Sequence, residues 1–89
     1  MNSRTTQRFR EAFARLPRSV QRQARGAYQL FQENPQHPSL WFKPVHPNRP
    51  IYSVRISRDY RALGVREGNE IIWFWIGSHA EYDRIVSRQ

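Results

Sequence analysis

"IYSVRISRDYRALGVREGNEIIWFWIG", residues 51 to 77, decides the fold. Apolar and polar side chains alternate with period two through 51–57, 60–66 and 70–77, and β-branched and aromatic residues dominate. "SRD" and "REGN" between them are short and turn-like. Three strands joined by such links form an antiparallel meander.

Register sets which side chains share a face. A three-residue loop at Ser57-Arg58-Asp59 places Ile56 opposite Tyr60 and Arg55 opposite Arg61, with both arginines on one face. A two-residue turn at Arg58-Asp59 places them on opposite faces. With Val65 opposite Glu70, Ala62 and Gly64 lie near Trp73 and Ile71, small against large. Tyr52, Val54 and Ile56 join that face, and simple alternation adds Trp75. The other face then carries Ser53, Arg55, Arg61, Leu63, Ile72, Phe74 and Ile76. An ordinary ion-paired sheet surface is one reading of this second face. Few acids lie near those arginines, however, and an anion site is the better reading.

Towards the N-terminus the period changes. Phe9, Ala12, Phe13 and Leu16 recur at helical spacing, and Pro17 ends that helix. A second helix runs from about Arg18 to Glu33, with Val20, Ala24, Ala27, Tyr28 and Phe31 as its stripe, and stops at Asn34-Pro35. The short link makes the pair a helical hairpin. Arg15, Arg18, Arg22 and Arg25 fall off the apolar stripes and read as a solvated face. Arg4 to Thr6 offers only a short candidate for a further strand. Residues 35–50, "PQHPSLWFKPVHPNRP", hold five of the chain's six prolines, and no regular element is expected there. A loop this long in a small domain is commonly a binding element. It carries His37, Trp41, Lys43, His46 and Arg49, and Trp41 or Phe42 is expected to plug the core edge.

After the last strand comes "GSHAEYDRIV", residues 77 to 86. Ser78 and Glu81 have the spacing of a capping box, which opens a short helix with Tyr82, Ile85 and Val86 on its apolar side. Capping accounts for Ser78 and Glu81. It does not account for His79, which sits at the first helical position, where backbone N–H groups attract anions. The strand end should bring His79 near Arg61. A histidine beside two arginines and a helix N-terminus suits phosphoryl chemistry; a surface histidine of no special role is the plainer reading.

The 89 residues make one domain with a modest core. Fifteen Lys and Arg oppose seven Asp and Glu, a formal net charge of +8, and Lys43 is the only lysine. The arginine fork suits bidentate contact with phosphate or carboxylate. A polyanionic partner, either nucleic acid or an acidic protein segment, is expected. An arginine-rich but merely soluble surface is the alternative. The absence of cysteine excludes disulfides and thiolate metal sites and fits a reducing cytosol, so a cytoplasmic location is expected. "MNSRTTQRFREAF" has no apolar signal core, and no run is long enough to span a bilayer.

The helical hairpin with "RLPRSVQRQA", the "ENPQHPSLWFKPV" link, the "YSVRISRDYRALGV" hairpin and the hydrophobic last strand before "GSHAEYDRIV" together resemble the RelE/ParE superfamily of bacterial toxin–antitoxin toxins. The resemblance covers most of the chain and implies a single domain over 1–89. Its expected fold is α+β: an N-terminal helical hairpin on a small antiparallel sheet, with a short C-terminal helix. Tyr60-Arg61 is its most specific part, and in RelE-like members the arginine after that tyrosine lies in the ribonuclease site. His79, in its Gly-Ser-His context, resembles the YafQ-like ribonuclease branch. Tyr82 loosely matches the functional aromatic residue near the end of many members. The lysine-rich site of RelE itself is absent.

The resemblance implies an endoribonuclease that cleaves mRNA at the ribosome and inhibits translation. The RNA 2′-OH would attack the adjacent phosphorus, Arg55 and Arg61 would stabilise the growing charge, and His79 would act as general acid or base. Glu81 or His46 would supply the second proton transfer. Lys43, His46, Arg49 and Arg58 would contact RNA. No cofactor is expected and, with no carboxylate cluster to hold Mg²⁺, no metal. A cognate antitoxin is the implied protein partner, and no membrane partner is expected. Two alternatives remain open: a ParE-like, non-enzymatic inhibitor of DNA gyrase, and an inactive or purely nucleic-acid-binding relative.

Overall fold

The computed structural model describes residues 1–87. Its elements in order are β1 (Asn2–Thr5), α1 (Gln7–Ala14), α2 (Arg18–Glu33), a 3₁₀ turn (Pro38–Leu40), β2 (Lys43–Pro44), β3 (Ile51–Ser57), β4 (Tyr60–Glu67), β5 (Glu70–Ser78) and α3 (His79–Ser87). The five strands form one sheet in the order β1-β5-β4-β3-β2. The α+β expectation holds, with helical hairpin, meander and terminal helix in place. The principal differences lie at the sheet edges. A first strand exists, at Asn2–Thr5 rather than Arg4 to Thr6, and it pairs parallel to β5. Thr6 instead caps α1, its Oγ1 accepting from the Phe9 amide at 3.1 Å. The proline-rich link also holds the 3₁₀ turn and a two-residue edge strand against β3, where no regular element was expected.

One sheet face packs against the helices. Val54, Ala62, Ile71, Trp73 and Ile76 meet Ala24, Phe31 and Leu40 there. The pairing of small with large residues is observed: a Cβ on Gly64 would lie 2.8 Å from Trp73 Cε3 and 2.9 Å from Ile71 Cγ1. Phe42 is the plug at the core edge. Its ring lies 4.9 Å from those of Phe31 and Tyr52. Trp41 is not a plug; it is 54% exposed.

Register differs from simple alternation at two places. At the β3–β4 turn, Ser57 pairs with Tyr60, so the turn has only two residues, Arg58 and Asp59. A shift between Arg55 and Ser57 then restores Arg55 opposite Arg61. The tight turn and the shared face, which read as exclusive alternatives, coexist because the strand bulges at Ile56. The β4–β5 link is also tighter than expected. Glu67 pairs with Glu70 around Gly68-Asn69, and Gly68 takes φ 59°, which suits glycine.

The second irregularity corrects the face assignment at the end of β5. Gly64 pairs with Trp73 but Leu63 with Trp75, so Phe74 is an extra residue on β5. Beyond it the sides exchange. Ile76 enters the core at 3% exposure, and Trp75 moves to the arginine face, the reverse of the expected arrangement. Trp75 folds over Gly77, where a Cβ would stand 2.6 Å from its ring.

Candidate functional site

The sheet face away from α1 and α2 carries two cross-strand rows. Ser53, Leu63 and Trp75 form one; Arg55, Arg61 and Gly77 form the other. Helix α3 is laid across this face. Tyr82 is buried, and its hydroxyl lies 3.3 Å from Ser53 Oγ, a residue only 2% exposed. That contact explains a buried serine which alternation alone left as a surface position.

The start of α3 is built as its sequence implied. Ser78 Oγ accepts from the Glu81 amide at 3.2 Å, and Glu81 Oε1 faces the Ser78 amide at 3.4 Å and the Ser78 hydroxyl at 3.1 Å. Glu81 is thus engaged in the cap. Ser78→Ala is expected to lower stability by about 0.5–2 kcal/mol, with activity falling only in proportion to folded protein. A fully stable but inactive Ser78→Ala chain would instead place the hydroxyl in the chemistry; melts and activity assays on one preparation decide it.

His79 is half-exposed, and its Nδ1 lies 3.1 Å from Asp83 Oδ2, one helical turn on. A carboxylate at Nδ1 favours the tautomer with the proton there and leaves Nε2 free to accept one. The ring is therefore not surrounded by cations alone, the environment expected from the sequence; Asp83, at i,i+4 spacing, faces it. The His79 amide donates to the Asp59 carbonyl at 2.7 Å. Arg61 grips the same turn, its Nη1 donating to the carbonyls of Ser57, Tyr60 (3.0 Å) and Arg58 (3.4 Å). One turn therefore fixes both the arginine and the start of the histidine's helix.

Arg55 and Arg61 are direct cross-strand neighbours. Both guanidinium groups lie over the Trp41 ring, with Cζ at 4.7 Å for Arg55 and 5.7 Å for Arg61. Among the described residues neither has a carboxylate within ion-pair distance. Arg61 is 8% exposed, and its pKa is lowered from the ordinary arginine value, first by burial and then by the Arg55 cation. Tyr82, Asp83 and Asp59 act in the opposite direction. Arg55 Nε is buried without a partner. Like charges placed opposite each other destabilise a sheet, and an unsatisfied buried donor costs about 1–3 kcal/mol.

The remaining candidates are dispersed. Arg58 is exposed in the β3–β4 turn, and Lys43 and Arg49 are exposed in or beyond β2. His46 Nδ1 accepts from the amides of Asn48 and Arg49, both at 3.0 Å, so it shapes its own loop. No group of three or more His, Cys, Asp or Glu is placed to hold a metal ion among the described residues. No described helix is long and apolar enough to cross a membrane. Of the two alternatives for the core-edge plug, Phe42 is the one that turns inward, and Trp41 stands at the site instead. Its signal was the adjacent Trp41-Phe42 pair, of which only one ring can turn inward.

Three solved structures place this fold among known proteins. A chain of the RelB–RelE antitoxin–toxin complex from Methanococcus jannaschii superposes with TM-score 0.73 and 16% identity, over 91% of this chain and 96% of that one. YafQ from Escherichia coli gives 0.72 and 9%, with the same coverages. The YoeB/ParE toxin from Agrobacterium tumefaciens gives 0.68 and 13%, over 89% and 99%. At these identities the likeness is one of fold. Among curated proteins no significant match to the sequence was found. The ParE-like toxin domain family matches residues 18–84, which take in α2, the proline-rich link, the meander and the site residues through Asp83. With three quarters of its length matched and its fold shared with RelE, YafQ and YoeB structures, the chain belongs to the ParE-like toxin domain family of the RelE/ParE superfamily of toxin–antitoxin toxins.

Proposed function

We propose that the chain is an endoribonuclease toxin that cleaves mRNA at the ribosome. The observation that carries this reading is the Arg55–Arg61 pair. Two cations stand side by side on a partly buried face with no carboxylate in ion-pair distance among the described residues, and the Nε of Arg55 is buried without a partner. A phosphodiester group relieves both costs at once. The chemistry then needs proton transfer beside the phosphate. The RNA 2′-O bonds to phosphorus as the P–O5′ bond breaks, giving a 2′,3′-cyclic phosphate and a free 5′-OH. His79 Nε2 takes the 2′-OH proton, with Nδ1 steadied by Asp83. Arg55 and Arg61 stabilise the charge on the non-bridging oxygens. Tyr82, whose ring lies beside the imidazole with centroids 5.8 Å apart, is assigned to protonate the leaving oxygen, a step in which its hydroxyl exchanges its 3.3 Å contact with Ser53 Oγ for the substrate. Glu81, committed to its cap, is the weaker choice for that step, and His46 is held in another loop. Lys43, Arg49 and Arg58 extend the positive surface for RNA backbone contact.

The RelE relative from M. jannaschii is found with its RelB antitoxin. The net charge of +8 suits a similar acidic antitoxin segment as this chain's partner. A second reading, inhibition of DNA gyrase through protein contacts, is favoured by the match to the ParE-like family. Inducing the chain in cells and mapping mRNA 5′ ends beside gyrase-dependent DNA breaks separates the two. New mRNA ends without DNA breaks are expected. DNA breaks without mRNA cleavage would overturn the ribonuclease reading in favour of the gyrase one.

A further inference from the structure

Trp41 is the only large hydrophobic residue that is exposed rather than buried or half-buried among the described residues. Its backbone is in the left-handed region at φ 47°, and among the described residues it alone of the non-glycines has positive φ. A bulky side chain in that conformation is disfavoured, and such strain persists only where the surroundings enforce it. Here they do. His37 Nδ1 accepts from the Ser39 amide at 3.2 Å at the start of the 3₁₀ turn, and the Trp41 amide closes it on the Pro38 carbonyl at 3.3 Å. Phe42, the next residue, is anchored among Phe31, Tyr52 and Trp73. The chain must therefore reverse sharply at Trp41, and the reversal lays the indole on the two guanidinium groups instead of in the core.

Both guanidinium groups lie against the indole, and 54% of the residue remains open to solvent. Among the described residues no carboxylate lies within ion-pair distance of the guanidinium groups against it. A nucleotide supplies complements to both features: a phosphate for the arginines and a flat base for the open ring. Stacking of a base on an aromatic side chain is sequence-tolerant and worth about 1–3 kcal/mol per base. Single-stranded RNA has bases free to stack in this way, and a duplex does not.

We propose that Trp41 is the base-stacking residue of the site, holding the unpaired nucleobase next to the phosphate that Arg55 and Arg61 bind. This inference rests on the ribonuclease reading and adds to it a single-stranded substrate gripped at base and phosphate together. Trp41 acts in binding rather than in proton transfer. Its loss should therefore alter the concentration dependence of cleavage far more than the limiting rate. Purines, with the larger π-surface, should be favoured at the stacked position.

The test is single-turnover cleavage of mRNA on programmed ribosomes by the wild-type chain and by Trp41→Ala and Trp41→Phe, beside thermal melts of all three. Both variants keep a Cβ at the positive-φ position, and the melts report any difference in strain between them. Trp41→Ala is expected to raise the half-saturating concentration by about 5- to 140-fold, the stacking free energy converted at 1.4 kcal/mol per tenfold. The limiting rate should change by less than about threefold. Trp41→Phe should recover most of the affinity. Preference between messages differing only in purine or pyrimidine at one position should weaken in Trp41→Ala. Equal half-saturating concentrations for wild type and Trp41→Ala, with cleavage intact in both, would overturn the stacking role and leave the ribonuclease reading standing. A large fall in limiting rate at unchanged half-saturation would overturn it too, making Trp41 a support for the arginines. A wild-type chain that cleaves no mRNA and causes gyrase-dependent breaks would remove both.

Discussion

His79→Ala is expected to lower mRNA cleavage by about 10²–10⁴-fold, the usual contribution of a general acid or base. Little else should change. The side chain is half-exposed, and its contact with Asp83 is a surface i,i+4 pair worth only ~0.3–0.5 kcal/mol. Its backbone bond to Asp59 survives any substitution but proline. The helix cap belongs to Ser78 and Glu81. Melting should stay close to wild type, and antitoxin binding should persist. His79→Gln keeps the size and a polar end but cannot cycle a proton, so it should be nearly as poor as alanine. Asp83→Asn tests the tautomer argument and should cost less, because the ring keeps its place on the helix. The readout is cleavage of ribosome-bound mRNA by purified variants. Full toxicity in both His79 variants would remove the imidazole from the mechanism.

The second large effect is expected at Arg61, and it has two parts. From the sequence, Arg61→Ala should leave a folded chain without toxicity. The structure modifies the first half of that expectation. Arg61 is buried, and its Nη1 serves the carbonyls that close the β3–β4 turn. Alanine leaves those acceptors unserved, at a cost of about 1–3 kcal/mol. Part of that cost is offset as the repulsion from Arg55 disappears. Removing one preorganised donor from a developing anion typically costs about 10²–10³-fold in rate. Activity per folded molecule should therefore fall by that factor even where melting drops by only a few degrees. Arg61→Lys keeps the charge but lacks the planar fork, so it cannot serve turn and phosphate together. It should fold better than alanine and still cleave poorly. If the lost activity of Arg61→Ala tracks unfolded protein alone, the arginine is a turn clamp and not a phosphate ligand.

Both expectations depend on the two arginines sharing a face, which depends on a bulge. The alternation in 51–57 and 60–66 was plain, and so was the likeness of "YSVRISRDYRALGV" to the superfamily hairpin. A two-residue turn and a same-face pair could not both follow from strict alternation. The extra residue at Ile56 reconciles them. Phe74 does the same on β5 and exchanges the sides of Trp75 and Ile76. A bulge carries no periodic signature. It arises where side-chain packing outweighs one broken ladder step, here where Trp75 closes over the bare backbone of Gly77.

Local chemistry was sufficient for the elements themselves. Helical spacing placed α1 and α2, the Pro17 and Asn34-Pro35 stops bounded them, and Ser78-x-x-Glu81 located the start of α3, because these are interactions between residues a few positions apart. Local spacing also contained the His79–Asp83 contact, an i,i+4 pair. The composition alone called for an anionic partner. Tertiary structure decided everything that joins distant segments. It sent Phe42 inward and Trp41 out over Arg55 and Arg61, set Tyr82 on Ser53, and tied Arg61 and His79 to one turn. Those choices belong to packing. Phe31 and Trp73 leave room for one more ring at the core edge, and which neighbour fills it depends on where the proline-rich link meets the sheet, a position that no local pattern encodes.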